Sequence, residues 1–158
     1  MKKIILILTL ILSVSLFANE KDESYEAGVM IGFTASSGLF FQYNIEDSYS
    51  LRASGYIVKI DDDTIIEGEL TAMNYIYKGE EGAFYLLGAL RNFHISENNG
   101  RKSTNIFGIG VGMGFKYNIA ENFNFFIEAS ENIAFLNETR KDSYFIAPLT
   151  AIGFSVDF

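Results

Sequence analysis

From Tyr25 to the last residue, apolar side chains alternate with small or polar ones at a period of two. That is the signature of strands with one greasy face. Turn-forming clusters break the alternation into eight segments of roughly ten residues each. They fall at 25–34, 38–45, 49–60, 64–77, 83–94, 106–117, 123–133 and 148–158. In the first, Tyr25, Ala27, Val29, Ile31 and Phe33 oppose Glu26, Gly28, Met30 and Gly32. In the second, the apolar face carries Leu39, Phe41, Tyr43 and Ile45. The third sets Leu51 and Ala53 against Arg52 and Ser54; the fourth sets Ile66, Leu70 and Ala72 against Glu67, Glu69 and Thr71. The sixth places Phe107, Ile109, Val111, Met113, Phe115 and Tyr117 opposite four glycines and Lys116. In the seventh, Phe123, Phe125, Ile127 and Ala129 oppose Asn124, Phe126, Glu128 and Ser130; in the last, Ile152, Phe154, Val156 and Phe158 oppose Ala151, Gly153, Ser155 and Asp157. The fifth is apolar on both faces up to Arg91, so its faces are not assignable from the pattern.

An even number of strands joined by hairpins returns the chain to the side it started from. The turns at 46–48, 78–82 and 118–122 then share that side, and those at 35–37, 61–63, 96–105 and 137–142 lie opposite. The two longest and most polar connections fall on the far side, as transmembrane barrels of bacterial outer membranes require. The segment Tyr43-Asn-Ile-Glu-Asp-Ser-Tyr recurs 74 residues on as Tyr117-Asn-Ile-Ala-Glu-Asn-Phe, each time on a near-side turn, which puts Tyr43, Tyr49, Tyr117 and Phe123 in one belt. A strand crosses a bilayer in about 9–11 residues. In hydrocarbon, every backbone polar group must be paired, and without helices only a closed sheet does that. The expected fold is therefore all-β: an eight-stranded antiparallel up-and-down transmembrane barrel whose lumen is filled by its own side chains. Glu26, Arg52, Glu67, Glu69, Lys116 and Glu128 point inward in this scheme, with Arg91 expected beside them. Unpaired charge in so narrow a space is costly. We expect Arg52, Arg91 and Lys116 to pair among Glu67, Glu69 and Glu128, in a structural network rather than a proton or ion path.

Composition narrows the function. The 158-residue chain has a net charge of -8, and its first 18 residues hold two lysines and no acid. Removing that basic segment leaves a strongly acidic remainder, which argues against nucleic acid as a partner. There is no cysteine, so thiolate metal sites, disulfides and cysteine nucleophiles are excluded. Met1-Lys-Lys, the apolar run from Ile4 to Val14 and Ser15-Leu-Phe-Ala18 read as a secretory signal over 1–18, cut after Ala18, ahead of a barrel domain over 19–158. The apolar run falls short of the ~20 residues that a membrane-spanning helix needs.

These patterns resemble the OmpA/OmpX-like family of small outer-membrane β-barrels. The terminal Ile152-Gly-Phe-Ser-Val-Asp-Phe158 looks like that family's assembly signal, carried by Ile152, Phe154, Val156 and Phe158. The run from Gly108 to Ile119 is similar to its glycine-rich strand entering a turn. The resemblance implies outer-membrane localisation, insertion by the barrel-assembly machinery, a monomer among outer-membrane lipids and lipopolysaccharide, and a structural, adhesive or envelope-interaction role without a cofactor.

Three motifs invite other readings. Gly108-Ile-Gly-Val-Gly-Met-Gly114 is spaced by twos and enters no helix, so it is a strand and not a nucleotide loop. Asp61-Asp-Asp63 lacks the spacing of a calcium loop and suits a solvated hairpin tip. His94 and Ser96 share a strand face, the one place where a lipid-modifying hydrolase could reside, but no acid stands in position to orient the histidine. Two alternatives to a non-enzymatic barrel follow: that lipid-modifying enzyme, and a secreted lipocalin-like carrier in which the aromatics would line a cavity. The carrier requires the faces to be inverted.

Overall fold

The computed structural model describes residues 24–33, 37–46, 48–97, 102–138 and 141–158. The expected signal segment, the expected tip at 35–36, and Arg101 and Arg140 of the expected far-side turns at 96–105 and 137–142 lie outside the described residues. Eight antiparallel strands form one closed barrel in sequence order. They are β1 (Ser24–Phe33), β2 (Gly38–Glu46), β3 (Tyr49–Ile60), β4 (Asp63–Lys78), β5 (Gly82–Glu97), β6 (Lys102–Ala120), β7 (Phe123–Glu138) and β8 (Lys141–Asp157). Closure is made by β1 and β8, with Ala27 opposite Val156 and Ile31 opposite Ile152.

Side-chain direction follows the alternation read from the sequence. Glu26, Met30, Phe40, Gln42, Arg52, Glu69, Thr71, Phe126, Glu128 and Ser155 are all buried inside, whereas Ile31, Val111 and Ile127 are exposed outside. A lone wall of hydrogen-bonded backbone separates the two faces, and a period of two assigns each residue to one of them. The fifth strand, which the pattern left open, turns Ala83, Tyr85, Leu87 and Ala89 inward. With Met73 and Tyr75 of β4 they form an apolar cluster within the lumen. A second cluster, Met30, Phe40, Phe126 and Ala151, packs across from it.

The far-side connections differ from the expectation. The segments read as loops over 96–105 and 137–142 are mostly strand: Glu97 pairs with Lys102, and Glu138 with Lys141. Polar sequence at 102–105 and 137–138 belongs to β6 and β7 rather than to irregular backbone. In the β3–β4 hairpin the turn takes only Asp61 and Asp62, with Ile60 opposite Asp63. Asp61 adopts a φ of 52°, a left-handed conformation that aspartate tolerates and a two-residue hairpin demands.

The near-side turns share a device. The pairing register shifts between Asn44 and Glu46, between Asn118 and Ala120, and between Tyr75 and Tyr77. Each bulge spans one isoleucine, Ile45, Ile119 or Ile76, and all three side chains are exposed. The repeated Tyr-Asn-Ile sequence thus encodes the same bulge twice, and bulges sharpen strand twist where a barrel rim must turn.

Glycine makes room where rings cross the lumen. A Cβ on Gly153 would lie 2.3 Å from the Phe126 ring and 2.5 Å from the Val29 carbonyl oxygen. Gly153→Ala is therefore expected to destabilise the barrel by about 1–3 kcal/mol, the usual cost of overpacking. Urea unfolding in lipid vesicles measures it; an unchanged midpoint would show that the wall relaxes at no cost.

Candidate functional site

The lumen holds two polar layers. Near the termini, Glu26 accepts from the Lys116 ammonium at 3.0 Å, from Gln42 Nε2 at 3.1 Å, and from the Ser155 hydroxyl. Gln42 also donates to the Tyr75 hydroxyl at 3.1 Å. Strands β1, β2, β4, β6 and β8 all contribute, so the layer ties β4 and β6 to β1, with which they share no ladder.

The second layer centres on Arg52, which is 1% exposed. Its two terminal nitrogens donate to the two oxygens of Glu128 at 2.8 and 2.7 Å, the planar fork geometry specific to arginine and carboxylate. Tyr85 donates to Glu128 at 2.6 Å, and Arg52 approaches Glu69 at 3.9 Å. The guanidinium carbon lies 5.4 and 5.5 Å from the ring centres of Phe40 and Phe126, which face each other edge-on. Glu69 also accepts from the Thr71 hydroxyl at 2.5 Å and from Arg91 Nε; Arg91 Nη1 in turn donates to Asn132 Oδ1 at 2.8 Å.

Of the residues expected to pair, the structure brings Arg52, Glu69, Arg91 and Glu128 into one connected cluster. Lys116 is elsewhere, with Glu26. Glu67 lies across the β3–β4 ladder from Tyr56, and their side chains are hydrogen-bonded. Sequence reasoning missed Tyr85, Tyr75 and Asn132. Counting inward by twos from Arg91 would have found Tyr85, but nothing in the pattern shows that Asn132 reaches Arg91. The terminal-strand residues lie on the outer wall, with Phe154 stacked on Phe123 at 5.7 Å and Phe158 near Tyr25 at 6.2 Å. Tyr25 stacks in turn on Tyr43 at 5.3 Å, so aromatic contacts run along the outer wall of β7, β8, β1 and β2 near the termini.

His94 Nδ1 is 2.7 Å from Asn105 Oδ1 across the β5–β6 ladder. An amide oxygen, not a carboxylate, stands in the orienting position of a hydrolytic triad. Among the described residues, no three His, Cys, Asp or Glu side chains converge on a possible metal position.

A closed barrel with charges inside and aliphatic and aromatic side chains outside defines a class: the small outer-membrane β-barrel fold. The N-terminal β-barrel domain of Pseudomonas aeruginosa OprF superposes with a TM-score of 0.58 at 19% identity, over 86% of this chain and 96% of that one. Neisserial surface protein A gives 0.49 at 15% identity over 86% and 96%. The Yersinia pestis attachment invasion locus protein Ail gives 0.47 at 14% identity over 88% and 100%. No protein-family model and no curated protein sequence matches the chain.

Proposed function

We propose that this chain is an integral, monomeric, non-enzymatic outer-membrane protein that seals its own lumen and meets its surroundings through projecting hairpins. One observation carries the reading: Arg52 is 1% exposed in the lumen while Val111 on the outer wall is 67% exposed. Hydrocarbon is the solvent that favours that distribution, since water favours its inverse. A lipocalin-like carrier needs the opposite orientation and does not fit these faces. Export by the segment 1–18, and recognition of Ile152, Phe154, Val156 and Phe158 by the barrel-assembly machinery, complete the proposal. Both rest on the sequence patterns given above.

Strand length supports the contact role. β1 and β2 have 10 and 9 residues, the length of a bilayer crossing, while β4 to β8 have 16 to 19. The excess extends beyond the membrane as paired strands at the β3–β4, β5–β6 and β7–β8 hairpins. These are the surfaces that would touch lipopolysaccharide or other envelope and host molecules.

Cell fractionation tests the proposal. The protein is expected in the detergent-soluble outer membrane, migrating faster on gels before boiling than after. Recovery as a soluble periplasmic or secreted protein would overturn it. Replacing His94 by alanine is expected to leave lipid composition unchanged; an altered lipid profile would restore the enzyme reading.

A further inference from the structure

One charge stands on the outer wall among apolar side chains. Glu131 is exposed on β7, in the outward set Ile127, Ala129, Glu131, Ile133 and Phe135. Across the ladders it lies opposite Val111 on β6 and Pro148 on β8. These two, with Ala129 and Ile133 along its own strand, are apolar, and none can pair with a carboxylate. Glu131 is the one charged residue among the outward positions from Ile109 to Phe115 on β6, Ile127 to Ile133 on β7 and Ile146 to Ile152 on β8.

Aromatic residues fix its depth. Phe107, Phe135 and Tyr144 face one another in a single register row on the far side, and all three are exposed. Phe123 and Phe125 mark the near end of β7. Aromatic girdles of this kind flank the apolar band of a transmembrane barrel. Glu131 stands four residues inside Phe135 and eight from Phe123. Allowing for strand tilt, that is about 10 Å below the far row. A charge facing hydrocarbon is costly, and an ionisable residue at membrane depth marks a functional position whose partner has to be named.

Depth selects that partner. Headgroup phosphates, ammonium groups and their counter-ions lie at or above the aromatic row, about 10 Å away and farther than a glutamate side chain spans. The donor must therefore enter the hydrocarbon with the lipid itself. A hydroxyl on an acyl chain, close to the chain's carbonyl end, does so, and a glutamate angled toward the interface meets it from below. Thr150 completes the match. It is exposed on β8 opposite Ala129, one diagonal step from Glu131. Its hydroxyl can donate to the acyl carbonyl while the lipid hydroxyl donates to Glu131. Ala129, small and exposed beside both, leaves room for the chain.

We infer that Glu131 and Thr150 form a site on the outer wall for a lipid of the far-side leaflet whose acyl chain is hydroxylated next to its carbonyl end. The inference rests on the outer-membrane reading of the barrel. A plain acyl chain leaves the carboxylate without a donor, so the site distinguishes lipids by one hydroxyl. A hydrogen bond to an ionised group is among the stronger ones, and a surround of low dielectric strengthens it further.

The chain contains no tryptophan, so Met113→Trp, one diagonal step from Glu131 across the β6–β7 ladder, places a single fluorescent reporter beside the site. The protein is folded into vesicles of dibrominated phosphatidylcholine, whose bromines quench tryptophan. Phosphatidylcholine carrying a 3-hydroxyacyl chain is then mixed in. Fluorescence is expected to recover at a mole fraction about fivefold lower than with the same lipid lacking the hydroxyl. Adding Glu131→Leu is expected to abolish the difference, and Thr150→Val to reduce it. Three results would overturn the inference: equal recovery with the two lipids, a difference that survives Glu131→Leu, or the same preference for a lipid hydroxylated at mid-chain. Should dibrominated lipid leave Met113→Trp unquenched altogether, the outer-membrane reading itself is lost. Retained heat-modifiable mobility shows that each variant folds, and Glu131→Ala takes the place of the leucine variant if that one does not.

Discussion

Arg52→Ala is expected to destabilise the barrel by about 3–5 kcal/mol, the cost of orphaning one member of a buried ion pair. Glu128 is 6% exposed, and two of its hydrogen bonds come from that guanidinium. Without Arg52, the Glu128 carboxylate keeps only the Tyr85 hydroxyl, and Glu69 loses its second cation. The substitution also empties the space beside the Phe40 and Phe126 rings. The double variant Arg52→Met, Glu128→Leu removes both charges while keeping volume, and is expected to recover most of the loss. Urea unfolding of vesicle-inserted protein, read by gel mobility, measures each. A loss under about 1 kcal/mol, the value of an exposed pair, would show that water reaches this layer.

Ile127→Arg is expected to cost about 2–4 kcal/mol, the penalty for arginine near the bilayer midplane of a transmembrane barrel. Ile127 is 48% exposed and sits near the middle of the part of β7 between Phe123 and Ile133. On a water-soluble barrel the same change at an exposed site would fall within roughly 0.5 kcal/mol of zero. The sign and size of this one effect therefore report which solvent surrounds the wall. Ile127→Ala, measured in parallel, separates the loss of packing from the burial of charge.

Much of this architecture was legible from alternation. The inward position of Arg52 and the outward position of Val111 follow from counting by twos, because a closed single-layer sheet leaves no third place for a side chain. The repeated Tyr-Asn-Ile segments marked two near-side turns, and both proved to be bulged hairpins. Strand ends were legible only where turn residues are compact, as at Asp61-Asp62. At 96–105 and 137–142 the polar residues resembled loop, because strands rising beyond an apolar surround lose the contrast between faces that reveals them. The fifth strand failed for the converse reason: Ala83 to Ala89 faces an apolar part of the lumen on one side and the apolar exterior on the other, so it carries no contrast either.

Period and punctuation alone thus determined the strand count, the antiparallel order and the face of nearly every residue, because those depend on neighbours close in the chain. Only the tertiary structure decided partners: Lys116 with Glu26 from 90 residues away, Arg52 with Glu128 from 76. Barrel closure and stagger set which inward side chains meet across the lumen, and neither leaves a trace in local sequence.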